Sequence, residues 1–144
     1  MIRSILTASP GLTGKAIAFV RIIVGLMLVY HGWEVFDRKV MEGYATWDQF
    51  KSNSSPMLRV YLGKGSELVA GILLTLGLFT RLAAIILIIT LGYIAFFVGH
   101  GKVWYEDQHP FMFVLFGLLF FFTGPGSWSM DNKIFKLKTS SSVS

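Results

Sequence analysis

Glu67 and Lys64 stand well inside an apolar run, Gly63-Lys64-Gly65-Ser66-Glu67-Leu68-Val69-Ala70-Gly71, which continues into Ile72-Leu73-Leu74-Thr75-Leu76-Gly77-Leu78-Phe79. A charge at membrane depth costs at least about 2.5 kcal/mol, so such residues face a bundle interior and pair with something. Their spacing of three places both on one helical face, within reach of each other. A lone buried carboxylate takes up a proton, and a neighbouring cation opposes that shift. Two uses follow. The charges can be ion pairs that fix helix register, or they can line a pocket for a small redox or polar molecule.

Other groups join them if the helices run antiparallel with the termini inside. At about 1.5 Å per residue, Arg21 comes to a depth of roughly 10 Å from the inner face, Glu67 to 18 Å, Lys64 to 23 Å and His31 to 25 Å. Glu106 and His109 then begin the last helix at the outer face. On this arithmetic His31, Glu34, Lys64, Glu67, Glu106 and His109 converge in the outer half, and Arg21 must extend outward to reach Glu67. His31-x-x-Glu34 and Glu106-x-x-His109 each put two metal-ligand types on one helical face. A di-iron carboxylate bundle needs Glu-x-x-His twice plus two further glutamates. Here one pair is reversed and one glutamate is missing, so no metal is expected.

Four apolar segments must position these groups. The spans are expected at residues 14–36, 57–79, 82–98 and 106–123. In the first, Gly14, Ala18, Arg21, Gly25, Leu28 and Gly32 alternate by fours and threes, a seam on which another helix can approach closely. In the second, Gly63, Glu67, Ala70, Leu74 and Gly77 form the facing seam, and Gly63-x-Gly65 reads as helix packing. The connection at Thr80-Arg81 is so short that the second and third helices must be antiparallel neighbours. The last apolar stretch, 110–123, is only about 21 Å long at a helical rise. It must borrow a turn from Glu106-Asp107-Gln108-His109 to span the ~30 Å core.

Between the first two helices, residues 37–56 hold Tyr44, Trp47 and Phe50 among charges, which suggests a segment lying on the membrane surface. Asn53-Ser54-Ser55 matches a glycosylation pattern that is common by chance. The first apolar run has no small-residue cleavage site after it and is read as a retained helix. Residues 1–13 precede the bundle, and 132–144 read as a basic, serine-rich, disordered tail.

Composition narrows the function classes. Hydrophobic residues make up 53% of the chain and charged residues only 15%, against about 25% charged in a soluble domain. The net charge of +5 comes from basic residues scattered through loops and tails, with no patch or motif for nucleic acid. With no cysteine in the chain, a structural disulfide, a Cys-based zinc site, an iron–sulfur ligand set and a dithiol relay are all excluded. Arg3, Lys15, Arg81, Lys133, Lys136 and Lys138 fall on one side of four spans, and Arg38, Lys39, Lys51, Arg59 and Lys102 on the other. The basic residues barely discriminate, but Asp37, Glu42, Asp48, Glu106 and Asp107 all fall on the second side, which favours termini inside.

Three blocks resemble the DoxX family of small four-span membrane proteins. They are the Arg-containing first helix ending in His31-Gly32-Trp33-Glu34, the run from Glu67 to Arg81, and Gly124-Pro125-Gly126-Ser127-Trp128-Ser129-Met130-Asp131. The resemblance covers about residues 15–131, and its last block is the most specific. It implies an all-α, integral membrane four-helix bundle in the bacterial cytoplasmic membrane. Relatives linked to a quinol oxidase and to thiosulfate:quinone oxidation imply a subunit or module of a quinone-linked redox system. Quinone is then the cofactor to consider, and the partners are the bilayer and a membrane or redox protein. The other role open to the chain is a non-catalytic accessory protein whose buried charges only hold the bundle and a partner. A small-solute carrier ranks third, because inverted repeats and broken helices are not evident.

Overall fold

The computed structural model describes residues 10–51 and 54–140. The segment before residue 10 (including Arg3), Asn53 of the acceptor-like triplet and the serines after 140 lie outside the described residues. Among the described residues every regular element is a helix. α1 spans Pro10–Gly32 and passes through a 3₁₀ turn, Trp33–Phe36. Two short helices follow, α2 at Arg38–Ala45 and α3 at Asp48–Lys51. α4 is Pro56–Leu76 and α5 is Thr80–Tyr93, which runs on as a π-helical turn, Ile94–Val98. α6 is Gln108–Thr123 and α7 is Met130–Ser140.

Two of these helices are long and apolar enough to cross a membrane, Gly11–Phe36 and Thr80–Val98. α6 is apolar but short, and α4 carries Arg59, Lys64 and Glu67 along its length. α1 packs most extensively on α4, α4 packs on α5, α5 on α6, and α6 touches α1. The outward faces carry exposed Phe19, Ile23, Leu26, Ile72, Leu76, Leu82, Ile89, Leu115 and Phe122. Water tolerates such a continuous apolar surface poorly.

The seam predicted on α1 is the buried one: Ala18, Arg21, Gly25, Leu28 and Gly32 all face the interior. Small residues there let α1 and α4 meet backbone to backbone. A Cβ on Gly25 would stand 2.6 Å from the Thr75 amide nitrogen, and one on Gly71 the same distance from that of Val29. The α4 seam is only partly as expected. Glu67, Ala70 and Leu74 are buried, but Gly63 and Gly65 have open space where a side chain would go. Neither glycine serves helix packing. On the other side of the core, Gly117 of α6 lies against Ile88, beside the buried Ala83 and Ala84 of α5.

The hydrophilic stretch after α1 folds as α2 and α3 over one end of the bundle. Asp37 caps α2 by accepting from the amides of Lys39 and Val40. The helix then buries Met41 completely, and Phe50 of α3 joins it against Val60 and Val98. The tail expected from 132 onward as disordered is helical up to Ser140, within α7, whose first turn is anchored by Asp131.

Candidate functional site

The charged groups singled out from the sequence do not all meet, because Arg21 lies towards the opposite end of the bundle from Lys64 and Glu34. Arg21, fully buried, forms no ion pair with Glu67 or any other carboxylate among the described residues. Its guanidinium donates to the carbonyls of Pro125 (2.9 Å), Thr75 (3.2 Å), Leu74 and Trp128. These carbonyls are available because α4 ends at Leu76 and the Gly124–Ser129 loop lacks regular structure. Gly77, in the left-handed conformation at φ 65°, allows the close approach: a Cβ there would sit 2.8 Å from the Arg21 guanidinium carbon. At the same joint the two carboxylate oxygens of Asp131 accept from the amides of Phe79 (2.7 Å) and Thr80 (2.9 Å), capping α5 from a distant part of the chain. This end has the character of a clasp.

The opposite end has the character of a site. Lys64 Nζ lies 2.9 Å from Glu34 Oε2 and 3.1 Å from Glu67 Oε2, so one ammonium bridges two carboxylates. Glu67 is only 4% exposed, whereas Glu34, on the 3₁₀ turn, reaches toward the surface. The Tyr44 hydroxyl donates to the same Glu34 oxygen at 2.8 Å, and its ring lies 5.2 Å under the ammonium. Burial and this bond push the Tyr44 phenol above its ordinary pKa. His31 and His109, from helices that barely touch elsewhere, bring their rings to 5.4 Å edge to face. With both carboxylates and the ammonium ionised the triad carries net negative charge, which disfavours an anion beside it.

These groups close one end of a cavity of about 530 Å³. Leu28, Val60, Leu91, Ile94, Val98 and Phe113 form its apolar wall, and His31, Lys64, Glu67 and His109 its polar end. Tyr44, Trp47 and Phe50 also line it, as a roof supplied by the α2–α3 segment, and exposed Arg59 stands at its outer lip. The π-helical turn supplies Ile94 and Val98; such turns recur at functional sites because the extra residue re-aims side chains. The open space beside Gly63 belongs to this cavity.

Of the seven residues singled out from sequence, His31, Glu34, Lys64, Glu67 and His109 come together, and two do not. Arg21 belongs to the clasp. Glu106 is exposed and pairs with Lys102 at 3.0 Å, so Glu106-x-x-His109 never presents both side chains to one point. No group of three His, Asp or Glu among the described residues is arranged to hold a metal. Asp107, not Glu106, organises that loop, accepting from the amides of His100 and Lys102 at 2.9 Å each. Those two bonds hold its carboxyl below the usual carboxylate range. Tyr44 and Trp47 are the site residues that sequence reasoning missed as such. The signal was there, in aromatic residues set among charges on an amphipathic connection.

A family model described as DoxX matches residues 16–100. An uncharacterized protein of Haemophilus influenzae (strain Rd) is 35% identical over 127 residues, which cover 83% of this chain and 91% of that protein. No solved structure matches the chain.

Proposed function

Because the chain belongs to the DoxX family, we propose that it is a four-span protein of the bacterial cytoplasmic membrane whose cavity serves a quinone-linked redox system. The apolar outer faces of α1, α4, α5 and α6 support the membrane placement. At about 1.5 Å per residue the 16-residue α6 is only about 24 Å long, so its ends draw the polar loops toward the bilayer. The acids on the α2–α3 side support termini in the cytoplasm. Single cysteines introduced by Ser142→Cys and Ser54→Cys test this, since labelling of both from outside contradicts it.

One observation carries the functional reading: an apolar cavity that ends on a paired-charge cluster with two histidines. A quinone needs a greasy slot for its tail and hydrogen-bond partners for its ring oxygens. The donor set fits. Lys64 and the histidines can donate to a carbonyl oxygen, and Glu67 can accept from a hydroxyl. A bound quinone would supply two-electron, two-proton carrier chemistry. The chain's own part is to seat the head, exclude water beneath the α2–α3 roof, and hold charge at Glu67 and Lys64. With no thiol in the chain, the electrons belong to a partner protein.

Purification with native lipid, followed by mass spectrometry of bound small molecules, tests the reading. Co-purified quinone is expected in the wild type, and its loss in folded Glu67→Gln. A second reading, a non-catalytic accessory protein, draws on the clasp, where a buried charge serves structure alone. A wild-type bundle that is empty of quinone and retains a protein partner favours that reading and overturns the first.

A further inference from the structure

We propose that the cavity is loaded sideways from the hydrocarbon core, through a portal between α4 and α5, by an amphiphile with one apolar tail and an uncharged, hydrogen-bonding head. This rests on the cavity being a binding site, as above, but not on the head being a quinone. The lining is of two kinds. Glu67, Leu91 and Phe113 are interior, whereas Leu62 and Ile89 line the same space while being 61% and 66% exposed on the outer face. A void whose wall residues are also outer-surface residues opens onto that surface. Here the surface is the apolar belt that continues through Val69 and Ile72 on α4 and Ile85 and Phe97 beyond Ile89. Beside Leu62 the Ser66 hydroxyl donates to the Leu62 carbonyl of its own helix at 2.7 Å, and Arg59 stands further out, at the lip.

The aqueous side is narrowed rather than apolar: exposed Trp47, Arg59 and His109 line the cavity there, beside a packed roof. Tyr44, Trp47 and Phe50 roof the cavity, Met41 and Phe50 pack on Val60 and Val98, and Tyr44 is tied through Glu34 to Lys64. The charge pattern sets the head. At the polar end an anionic head would meet Glu67, whose lysine is already shared with Glu34, and a cationic head would displace that lysine. An uncharged head can exchange hydrogen bonds with His109, Lys64 and Glu67 without breaking the ion pairs.

The chain has no cysteine, so a single introduced thiol reports access cleanly. Leu91→Cys, on the cavity wall, is placed in nanodiscs and reacted with N-dodecylmaleimide, a tailed reagent with an uncharged head, or with a sulfonated methanethiosulfonate. The tailed reagent is expected to react about tenfold faster or more, because an anion at hydrocarbon depth is costly. Ile89→Trp or Leu62→Trp should slow it several-fold, while an Ile72→Cys control on the lipid face keeps its rate. If Leu91→Cys does not fold, Thr90→Cys, also on the lining, replaces it. A charged reagent that is as fast, or portal tryptophans without effect, overturns the proposal. Absence of quinone from the purified protein leaves these rates unchanged, so the two readings fail separately.

Discussion

Arg21 and Lys64 are both cations inside the same bundle, and they are satisfied by opposite means. Arg21 spends its donors on backbone carbonyls from α4 and from the loop after α6. Carbonyls do not titrate and cannot leave, so this end has one state. Lys64 is held by two carboxylates, one buried and one reaching the surface. Each of those can gain a proton, change partner or face a ligand, and a cavity lies beside them. The difference separates a charge used to build from a charge available for work.

The largest way to break the contrast is Arg21→Leu. It strands the carbonyls of Thr75, Pro125 and Trp128 (that of Leu74 still accepts from the Gly77 amide), and each unsatisfied buried polar group costs about 1–3 kcal/mol. Thermal melting in detergent should show a loss of at least about 3 kcal/mol by that count, or no folded protein at all. A wild-type melt would show that the clasp is ornamental. Next comes Gly71→Leu at the α1–α4 crossing, where the added side chain meets the Val29 backbone. Overpacking of this kind costs about 1–3 kcal/mol. Gly63→Ala, beside open cavity space, should not lower the melting temperature, and equal damage from both would erase the distinction between packed seam and cavity wall.

Glu67 sharpens the comparison at a smaller scale. Were Glu67 the sole partner of Lys64, its removal would strand a buried cation at a cost of about 3–5 kcal/mol. Glu34 keeps Lys64 paired, so Glu67→Gln should cost only about 1 kcal/mol, the net worth of a typical hydrogen bond. Ligand binding, read by mass spectrometry, should fall far more than stability does. A Glu67→Gln protein that keeps its ligand places the site elsewhere.

The smallest effect concerns Asp107, a carboxylate held by backbone amides as Arg21 is held by backbone carbonyls. Its folded pKa lies below its unfolded one, so its contribution is complete above the unfolded value. That contribution is lost as pH falls through the depressed folded value. Hydrogen exchange at the His100 and Lys102 amides should accelerate, relative to the intrinsic rate, over that acidic range. Asp107→Asn should show no such pH step. A step that persists in the variant assigns the titration to another group.

The seam on α1 was legible because small residues and one arginine repeat with helical period, which needs no knowledge of the partner. Glu67 facing inward was legible for the same reason, since its cost in lipid leaves one direction open. Arg21's partners were not legible. They are main-chain oxygens, identical at every position in a sequence, and only the fold decides which are left without a helical bond. Tyr44 was hidden differently: its role depends on the α2–α3 segment folding back over α4. The all-helical character followed from composition and period, whereas the cavity is a property of how four helix faces fail to meet.

Asp131 caps α5 at Phe79 and Thr80 from about fifty residues downstream, and this has a consequence in time. During synthesis the α4–α5 hairpin leaves the ribosome with its joint open, the first amides of α5 uncapped and Arg21 lacking the carbonyls of Pro125 and Trp128. Only when the stretch from Pro125 to Asp131 emerges do the clasp and the cap close together. The hairpin joint is thus completed only when nearly all of the helical framework has been made, and a chain stopped short of Asp131 lacks the cap on α5.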